Sequence, residues 1–137
     1  MKTYNQFYIN GEWVDPVEGV NSYEVINPSN EEACAVISLG NKEDVNSAVK
    51  AAKESFPRWS RVEKKYKISL LEKLYAIYES RWNEMAESIS MEMGAPIDWA
   101  VTAQTSSGAQ HIKDFIKRLK EFEFESSFSN DSDNYIA

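Results

Sequence analysis

The sequence predicts an α+β fold, with two β-hairpins over residues 6–39 and three or four helices over residues 42–122. The clearest turn signal is Asn10-Gly11, which stands between two short alternating runs and tolerates the positive φ angles of a tight hairpin. After Gly40 the spacing of apolar residues changes from that of a strand to that of an amphipathic helix. A chain of 137 residues has the length of one domain.

Both hairpins are predicted from local composition. The first has strands at about 6–9 and 12–15, on either side of the Asn-Gly turn. The second pairs residues 23–27 with residues 33–39 across a polar turn at 28–32. Its strands carry β-branched and large apolar side chains, which suit a half-buried sheet surface. The four strands form either two hairpins or one small antiparallel sheet.

The first helix is predicted over residues 42–56. Asn41 is suited to the N-cap, because its side-chain oxygen accepts hydrogen bonds from free backbone N–H groups. Glu43 and Asp44 follow at the helix end where negative charge is favoured. Pro57 is expected to end the helix, since proline has no N–H. The apolar stripe of this helix consists of Val45, Ala48, Val49, Ala52 and Phe56.

A longer helical stretch is expected to begin at the capping box 60–63, Ser-Arg-Val-Glu. It should end at Gly94, which suits the left-handed position after a helix, with Pro96 just beyond. This stretch is much longer than the mean helix of ~11–12 residues, so we expect a break near Asn83, which would cap another helix. Its apolar stripe is Tyr66, Leu70, Leu71, Leu74, Ile77, Tyr78, Trp82, Met85, Ile89 and Met93.

The last helix is predicted from about residues 96–98 to Phe122. Gly108 lies in its interior at a cost of roughly 1 kcal/mol relative to alanine, so we expect another element to cross there closely. Residues 125–137 form a polar segment that is typical of a linker or an exposed strand. The predicted apolar stripe is Ile97, Val101, Gln104, Gly108, Ile112, Phe115, Leu119 and Phe122.

Charge and composition exclude several classes of function. The chain has 15 Lys+Arg and 22 Asp+Glu, a net charge of −7, which argues against nucleic acid as a partner. No apolar run reaches the ~18 residues of a membrane span, so we expect a cytoplasmic protein without a membrane partner. The one basic cluster, at a helix start, is interpreted as a solvated surface: Arg58, Arg61, Lys64, Lys65 and Lys67.

The residues by themselves show no catalytic constellation. Cys34 lies in an apolar strand near Glu31 and Glu32, whose charges disfavour a reactive thiolate, so we interpret it as a structural residue. His111 is the only histidine and has no second ligand of the kind that zinc requires. Neither a G-x-G-x-x-G motif nor a P-loop occurs. From the residues alone, the prediction is a domain without a catalytic or metal site.

An ordered set of segments nevertheless resembles a known family. FYINGEWVD is followed by VINPSNEE, then by ISLGNKEDVNSAVKAAKESFPRWS, and then by LLEKLYAIYESRWNEMAESISMEMGAPI. Their order and spacing over residues 7–124 resemble the N-terminal stretch of NAD(P)-dependent aldehyde dehydrogenases. The resemblance implies the N-terminal portion of a Rossmann-like cofactor domain over residues 1–124, with 125–137 leading toward the first strand of the oligomerisation arm.

The same resemblance implies what the whole enzyme does. Its cysteine thiolate would attack an aldehyde, hydride would pass to NAD or NADP, and water activated by a glutamate would release the carboxylic acid. The motifs for that cysteine, that glutamate and the phosphate-binding turn have no counterpart here, and Cys34 does not match the nucleophile's motif. We therefore expect this chain alone to be inactive and to bind no cofactor, within an enzyme that is a homo-oligomer, a dimer or a tetramer.

Two sites of the family are expected to map onto this chain. Many members bind a monovalent cation through a carbonyl on the strand before Asn-Pro and a carboxylate before the Gly-x-Pro turn. The matching positions are Ile26, with Asn27 as an alternative, and Glu92, where the family often has Asp. In the family, the helix after Gly-x-Pro flanks the aldehyde entrance. The face opposite its core stripe carries Trp99, Ala103, Ser106, Ser107 and Gln110, of which Trp99, Ala103 and Ser107 are the main candidates, and the small residues would leave a wide mouth.

A second function class stays open at this point. The chain is either the N-terminal part of an aldehyde dehydrogenase or a stand-alone, non-catalytic interaction module derived from that family. The wide apolar stripes on the helices favour the first, because in the family such surfaces pack on a parallel sheet that follows this region. We therefore expect the isolated chain to be a poor independent folder.

Overall fold

The computed structural model describes residues 1–125, together with the backbone of Ser127–Asn130 and Asp133–Ile136. It confirms the α+β fold, with five strands first, the helices after them and two short strands following the last helix. The strands are β1 (Lys2–Tyr4), β2 (Phe7–Ile9), β3 (Glu12–Val14), β4 (Ser22–Asn27), β5 (Glu32–Ser38), β6 (Ser127–Asn130) and β7 (Asp133–Ile136). The helices are α1 (Lys42–Ser60), α2 (Lys64–Ser80), α3 (Trp82–Met93), α4 (Ile97–Trp99) and α5 (Thr105–Glu121), with a π turn (Ala100–Gln104) between the last two.

The first hairpin forms as predicted. Strands β2 and β3 pair antiparallel, with Ile9 opposite Glu12. Asn10 and Gly11 have φ angles of 55° and 86°, the left-handed values that a two-residue hairpin turn requires at both positions. Tyr8 and Trp13 stack across the strands, with ring centroids 5.2 Å apart, and contribute a cross-strand pair of the kind that stabilises a sheet.

The second hairpin belongs to a mixed three-stranded sheet. Strands β4 and β5 pair antiparallel as predicted, and a bulge interrupts the register between Val25 and Ile26. The sequence analysis missed β1, which pairs in parallel with β5 on its other side, giving the order β1-β5-β4. This strand is short, fully exposed and contains Lys-Thr-Tyr, so its pairing depends on β5 rather than on a pattern of its own.

Helix α1 starts where the sequence predicts and ends later. The Asn41 side chain accepts hydrogen bonds from the Glu43 and Asp44 N–H groups, and the Asp44 carboxylate accepts one from the Asn41 N–H. The buried Asp44 also accepts from the Val17 N–H at 2.9 Å, which fastens the loop after β3 to the helix start. The prediction that Pro57 ends the helix is wrong, because α1 continues to Ser60 with Pro57 inside its last turn. Proline removes one hydrogen bond there, and the exposed last turn tolerates that loss.

The boundary between α1 and α2 corrects a second prediction. Ser60 does not cap a new helix: it is the last residue of α1, and its hydroxyl donates to the Pro57 carbonyl. Helix α2 begins after Glu63 without a side-chain cap. At the other end, the break between α2 and α3 falls at Arg81, two residues before the predicted Asn83.

The end of α3 was predicted correctly. Gly94 has φ 68° and its N–H donates to the Ser90 carbonyl. A Cβ atom added there would lie 3.0 Å from Pro28 Cγ and 3.1 Å from the Ser29 nitrogen. Glycine is thus required twice, once for its left-handed conformation and once for the close approach of the turn between β4 and β5.

The last helical segment, residues 97–121, departs from the predicted straight α-helix at the π turn. The Thr105 N–H donates to the Ala100 carbonyl, five residues back instead of four. Because of this extra residue, the buried line runs along Ala100, Thr105, Ala109 and Ile116. Three members of the predicted apolar stripe are instead largely exposed: Ile97, Phe115 and Phe122.

Gly108 allows α2 to cross this segment closely, as predicted. A Cβ atom on Gly108 would lie 2.4 Å from the Tyr78 hydroxyl oxygen, far inside normal contact. The Tyr78 hydroxyl donates to the Thr105 carbonyl at 3.0 Å, so the ring is held in this place. We call the packing of Tyr78 and Trp82 against Ala100, Thr105 and Gly108 the helix crossing.

The buried core of residues 1–125 consists mostly of small side chains. Its apolar members are Ala86, Ala100, Ala109 and Ile116. Large apolar side chains stay half-buried or exposed on every long helix, among them Val45, Val49, Phe56, Leu74, Ile77, Phe115 and Phe122. The helices therefore present more apolar surface than they bury against one another.

The polar segment predicted over 125–137 lies partly outside the described residues. The backbone that the structure describes forms an antiparallel pair, β6 with β7, with Asn130 opposite Asp133. Residues 126, 131, 132 and 137 lie outside the described residues. That this segment leads toward an oligomerisation strand stays a prediction.

The helix crossing generates a prediction for Gly108→Ala. The added methyl group collides with Tyr78, an overpacking cost of about 1–3 kcal/mol, which outweighs the roughly 1 kcal/mol that alanine gains over glycine in a helix. Amide hydrogen exchange of peptides from α5 measures the loss as a lower free energy of local opening. In a Tyr78→Phe background the nearest ring atom lies at 3.1 Å, so the loss should shrink. An equal loss in both backgrounds would contradict the assigned collision.

Candidate functional site

The two segments expected to bind a cation lie side by side. The turn after β4 packs on Gly94, directly after the last turn of α3. A shallow cleft at this junction is lined by Asn27, Ser29, Glu87, Ser90, Met91, Gly94, Ala95, Pro96 and Ile97. The Ser90 hydroxyl donates to the Ala95 carbonyl and ties the start of the Gly-x-Pro turn to α3. The fold thus brings together the strand end and the helix end that the expected site needs.

Hydrogen bonding at this junction distinguishes the two candidate carbonyls. The Asn27 carbonyl accepts from the Glu31 N–H at 2.8 Å, and the Asn27 side-chain oxygen accepts from the Ser29 N–H and hydroxyl. Asn27 is therefore committed to its own turn. Ile26 lies next to the bulge of β4 and is 46% exposed. Ile26 pairs with Ala33 across the strands and does not line the cleft, whereas Asn27 does, so the cation role of either carbonyl stays a prediction.

Glu92 lies in the last turn of α3 and its side chain is exposed. It does not line the cleft at the junction, whereas Glu87, one and a half turns earlier, does. Among the described residues, no group of three or more His, Cys, Asp or Glu side chains is arranged to hold a metal ion. The carboxylate at the cleft is that of Glu87, and a cation site through Glu92 stays a prediction.

The expected entrance residues lie around the π turn. Trp99 precedes it and is 59% exposed, Ala103 lies within it, and Ser107 follows it. The Ser107 hydroxyl donates to the Ala103 carbonyl at 3.0 Å, so these two residues are in contact. The Ser106 hydroxyl turns back to the carbonyls of Thr102 and Ala103. The entrance candidates thus surround a local distortion that the apolar periodicity did not predict.

The π turn changes which residues share a face. In a straight α-helix with about 100° per residue, Trp99 would lie above Ser106 and about 80° away from Ser107. The π turn takes up one extra residue, so Trp99 moves away from the face of Ser106 and comes to within about 20° of Ser107. His111, which is exposed, moves onto the same face as Trp99. Sequence spacing alone assumes a straight helix, so it predicts that Trp99 shares a face with Ser106 instead.

The cysteine has the structural environment that the sequence predicts. Cys34 lies in β5, is half-buried, and its thiol donates to the Val25 carbonyl at 3.2 Å across the strand pair. A reactive thiolate requires an electropositive neighbour or a helix N-terminus. Cys34 instead lies between paired strands. Cys34 is therefore a packing residue of the sheet.

Charged pairs with shifted pKa values lie on the surface. Arg81 donates to Glu84, and this hydrogen bond and charge lower the pKa of the Glu84 carboxyl below its usual value. Tyr75 accepts from Lys113 and raises the pKa of the Lys113 ammonium, which also lies 4.7 Å from the tyrosine ring centre. These pairs join neighbouring turns and helices at the surface, and neither lies in an enclosed site that would tune an acid or base for catalysis.

Part of the basic cluster serves the helices rather than solvent alone. The Lys64 ammonium donates to the Lys120 and Phe122 carbonyls, which caps the C-terminus of α5. The Lys67 ammonium lies 5.5 Å from the Trp59 ring centre and 5.3 Å from that of Phe124. Both lysines thus fix the edge of an apolar groove between α2 and α5, lined by Trp59, Leu70, Leu71, Phe115, Leu119, Phe122 and Phe124.

Most of the chain matches a single protein family. Residues 13–137 match the model of the aldehyde dehydrogenase family. The chain belongs to the aldehyde dehydrogenase family. It corresponds to the N-terminal portion of that family, as the order of its segments indicated. No helix among the described residues of this aldehyde dehydrogenase chain has the length and apolar character to cross a membrane.

Individual relatives agree with this assignment. The aldehyde dehydrogenase chain is 41% identical over 128 residues to 3-succinoylsemialdehyde-pyridine dehydrogenase from a Pseudomonas species, which covers 93% of this chain and 27% of the relative. The chain superimposes on an aldehyde dehydrogenase from Bartonella henselae with a TM-score of 0.91 and 46% identity, covering 99% of this chain and 28% of that one. The chain therefore spans about a quarter of the length of the relatives that it matches.

A third relative was solved with ligands. A mutant of aldehyde dehydrogenase C from Pseudomonas syringae, in complex with NAD+ and octanal, superimposes with a TM-score of 0.86 and 32% identity. The match covers 91% of this chain and 26% of that protein. A nicotinamide cofactor is thus bound by a member of the family to which this aldehyde dehydrogenase chain belongs.

Proposed function

We propose that this chain is the N-terminal part of the cofactor-binding domain of an NAD(P)-dependent aldehyde dehydrogenase, an oxidoreductase that converts an aldehyde into a carboxylic acid. The observation that carries the proposal is the superposition on the Bartonella henselae aldehyde dehydrogenase over 99% of the chain, although the chain covers only 28% of that protein. The chain's part in catalysis is to support and shape the site. The nucleophile, the general base and the phosphate-binding turn belong to the rest of the enzyme.

The exposed apolar surface supports the proposal that this chain is only one part of a larger domain. Phe115, Phe122 and Leu74 are 60%, 53% and 49% exposed, although each would gain roughly 1.5–3 kcal/mol from full burial. A domain has a net stability of only about 5–15 kcal/mol, so several such side chains decide whether it folds. These faces fit a chain that completes its core against further structure, which the Rossmann-like sheet of the whole enzyme supplies.

The residues of this chain have no part in hydride transfer under this proposal. A bound NAD or NADP would accept the hydride, and the cysteine and glutamate that handle the aldehyde lie in the rest of the enzyme. Cys34 is engaged with the Val25 carbonyl within the sheet and holds no position from which to attack a substrate. The whole enzyme acts as a homo-oligomer, a dimer or a tetramer, by the same family resemblance.

Two sites of the chain act on the enzyme indirectly. The Ile26 carbonyl and the Glu92 carboxylate bind a monovalent cation that fastens β4 to the end of α3. The proximity of the turn after β4 to Gly94 supports this pairing. Trp99, Ala103 and Ser107 flank the aldehyde entrance, which the small side chains at the last two positions leave wide.

The proposed function predicts a gain of activity in a chimera. Residues 1–137 replace the matching N-terminal 28% of the Bartonella henselae aldehyde dehydrogenase, and reduction of NAD+ or NADP+ is followed on adding an aldehyde. We expect the chimera to be active, because the replaced region supplies scaffold and entrance but no reacting group. The isolated chain and the isolated remainder, as matched controls, should each be inactive.

Two outcomes would contradict this proposal. The first is a chimera that elutes as a folded oligomer but shows no turnover while the parent enzyme is active. The second is turnover by the isolated chain that Cys34→Ser abolishes, since this would place the nucleophile in the chain itself. The second outcome would also exclude the alternative of a stand-alone interaction module, because that module is non-catalytic.

The cation site predicts a salt-specific stabilisation of the chimera. At constant ionic strength, replacing tetramethylammonium by Na+ or K+ should raise the melting temperature, since a ligand at ten times its Kd stabilises by about 1.4 kcal/mol. Glu92→Gln removes the charge that attracts the ion, so most of this rise should disappear. Glu54→Gln, which changes an exposed carboxylate on α1 outside this cleft, is the matched control and should retain the rise. Equal loss in both variants would indicate nonspecific screening.

A further inference from the structure

The π turn is held by two aromatic side chains from other helices. Its Thr105 N–H bonds to the Ala100 carbonyl, whereas in an α-helix it would bond to the Val101 carbonyl. The Val101 carbonyl instead accepts from the Trp82 indole N–H at 3.0 Å. The Tyr78 hydroxyl donates to the Thr105 carbonyl, also at 3.0 Å. Trp82 thus bonds to a carbonyl near the start of the turn, and Tyr78 bonds to that of the residue that follows it.

The two aromatic residues form one unit. Tyr78 is near the end of α2 and Trp82 begins α3, and their rings pack edge to face with centroids 6.1 Å apart. Both hydrogen bonds are partly buried, so water replaces them poorly if a donor is removed. Gly108 lets the Tyr78 ring approach the backbone, because any side chain there would collide with it. The close packing at the helix crossing therefore places both donors within hydrogen-bond distance of main-chain carbonyls.

The π turn determines how α4 is rotated about the helix axis relative to α5. Return to α-helical bonding would rotate α4 by about 100° relative to α5. Trp99 would leave the face of Ser107 for that of Ser106. The aromatic pair thus determines which side chains lie beside the large exposed ring of Trp99.

We propose that Tyr78 and Trp82 are positioning residues for the aldehyde entrance: by holding the π turn they set Trp99 on the same face as Ser107 and so determine how well the mouth accepts long-chain aldehydes. This inference rests on the proposed function. Neither residue touches the substrate, and each acts through the backbone of the turn.

The test uses the chimera carrying Trp82→Phe or Tyr78→Phe, each of which keeps an aromatic ring and removes one donor. Trp13→Phe, on the distant first hairpin, is the matched control. In crystal structures of these two variants, the Thr105 N–H should bond to the Val101 carbonyl. The KM for octanal should rise about three- to tenfold, while kcat and the KM for acetaldehyde stay within about twofold.

The outcomes separate this proposal from the proposed function. A π turn that persists in Trp82→Phe, in Tyr78→Phe and in the double variant overturns the positioning role, whether or not the chimera is active. Equal changes in the KM of both aldehydes, or a fall in melting temperature with no change in their ratio, also overturn it. An unmodified chimera without activity refutes the proposed function, and the crystal structures still decide whether the aromatic pair holds the turn.

Discussion

Helix α5 and the π turn pack on α2 and α3 through small residues. Ala100, Thr105 and Ala109 are buried along one side, and Gly108 admits the Tyr78 ring from the other helix. Small side chains bring the backbones close, so the donors of Tyr78 and Trp82 reach main-chain carbonyls. The positions of α4 and of the residues proposed for the aldehyde entrance follow from this contact.

Close packing of small residues has a cost elsewhere. The large apolar side chains of α1, α2 and α5 cannot enter such a narrow interface, and they remain on the outer faces of the helices. Two of the helices enclose the apolar groove, whose edge is held by Lys64 and Lys67. A fold with this distribution is stable when further structure covers these faces, which agrees with a chain that spans about a quarter of its relatives.

Local backbone chemistry was predictable from the sequence because it depends on neighbouring residues. Asn10-Gly11 and Gly94 adopt the left-handed conformations expected of them, and Asn41 caps α1. Nonlocal features were not predictable. Strand β1 takes its place from β5, and the π turn depends on donors 19 and 27 residues away in sequence.

The candidate site shows the same division. The meeting of the β4 turn with Gly94 was implied by the family resemblance, and no periodicity in the residues indicates it. That the Asn27 oxygens are engaged within their own turn is seen only in the hydrogen bonds of the structure. The entrance face required the π turn, since straight-helix spacing places Ser106 rather than Ser107 beside Trp99.

The exposed apolar faces of the helices indicate that the chain completes its core only against further structure. The most direct test is the unfolding of isolated residues 1–137, followed by circular dichroism together with binding of the dye ANS. The account predicts helical signal without a sharp cooperative transition, strong dye binding, and association into oligomers or aggregates. A monomer with a sharp thermal transition, dispersed methyl resonances and no dye binding would contradict it, and would favour a stand-alone interaction module instead.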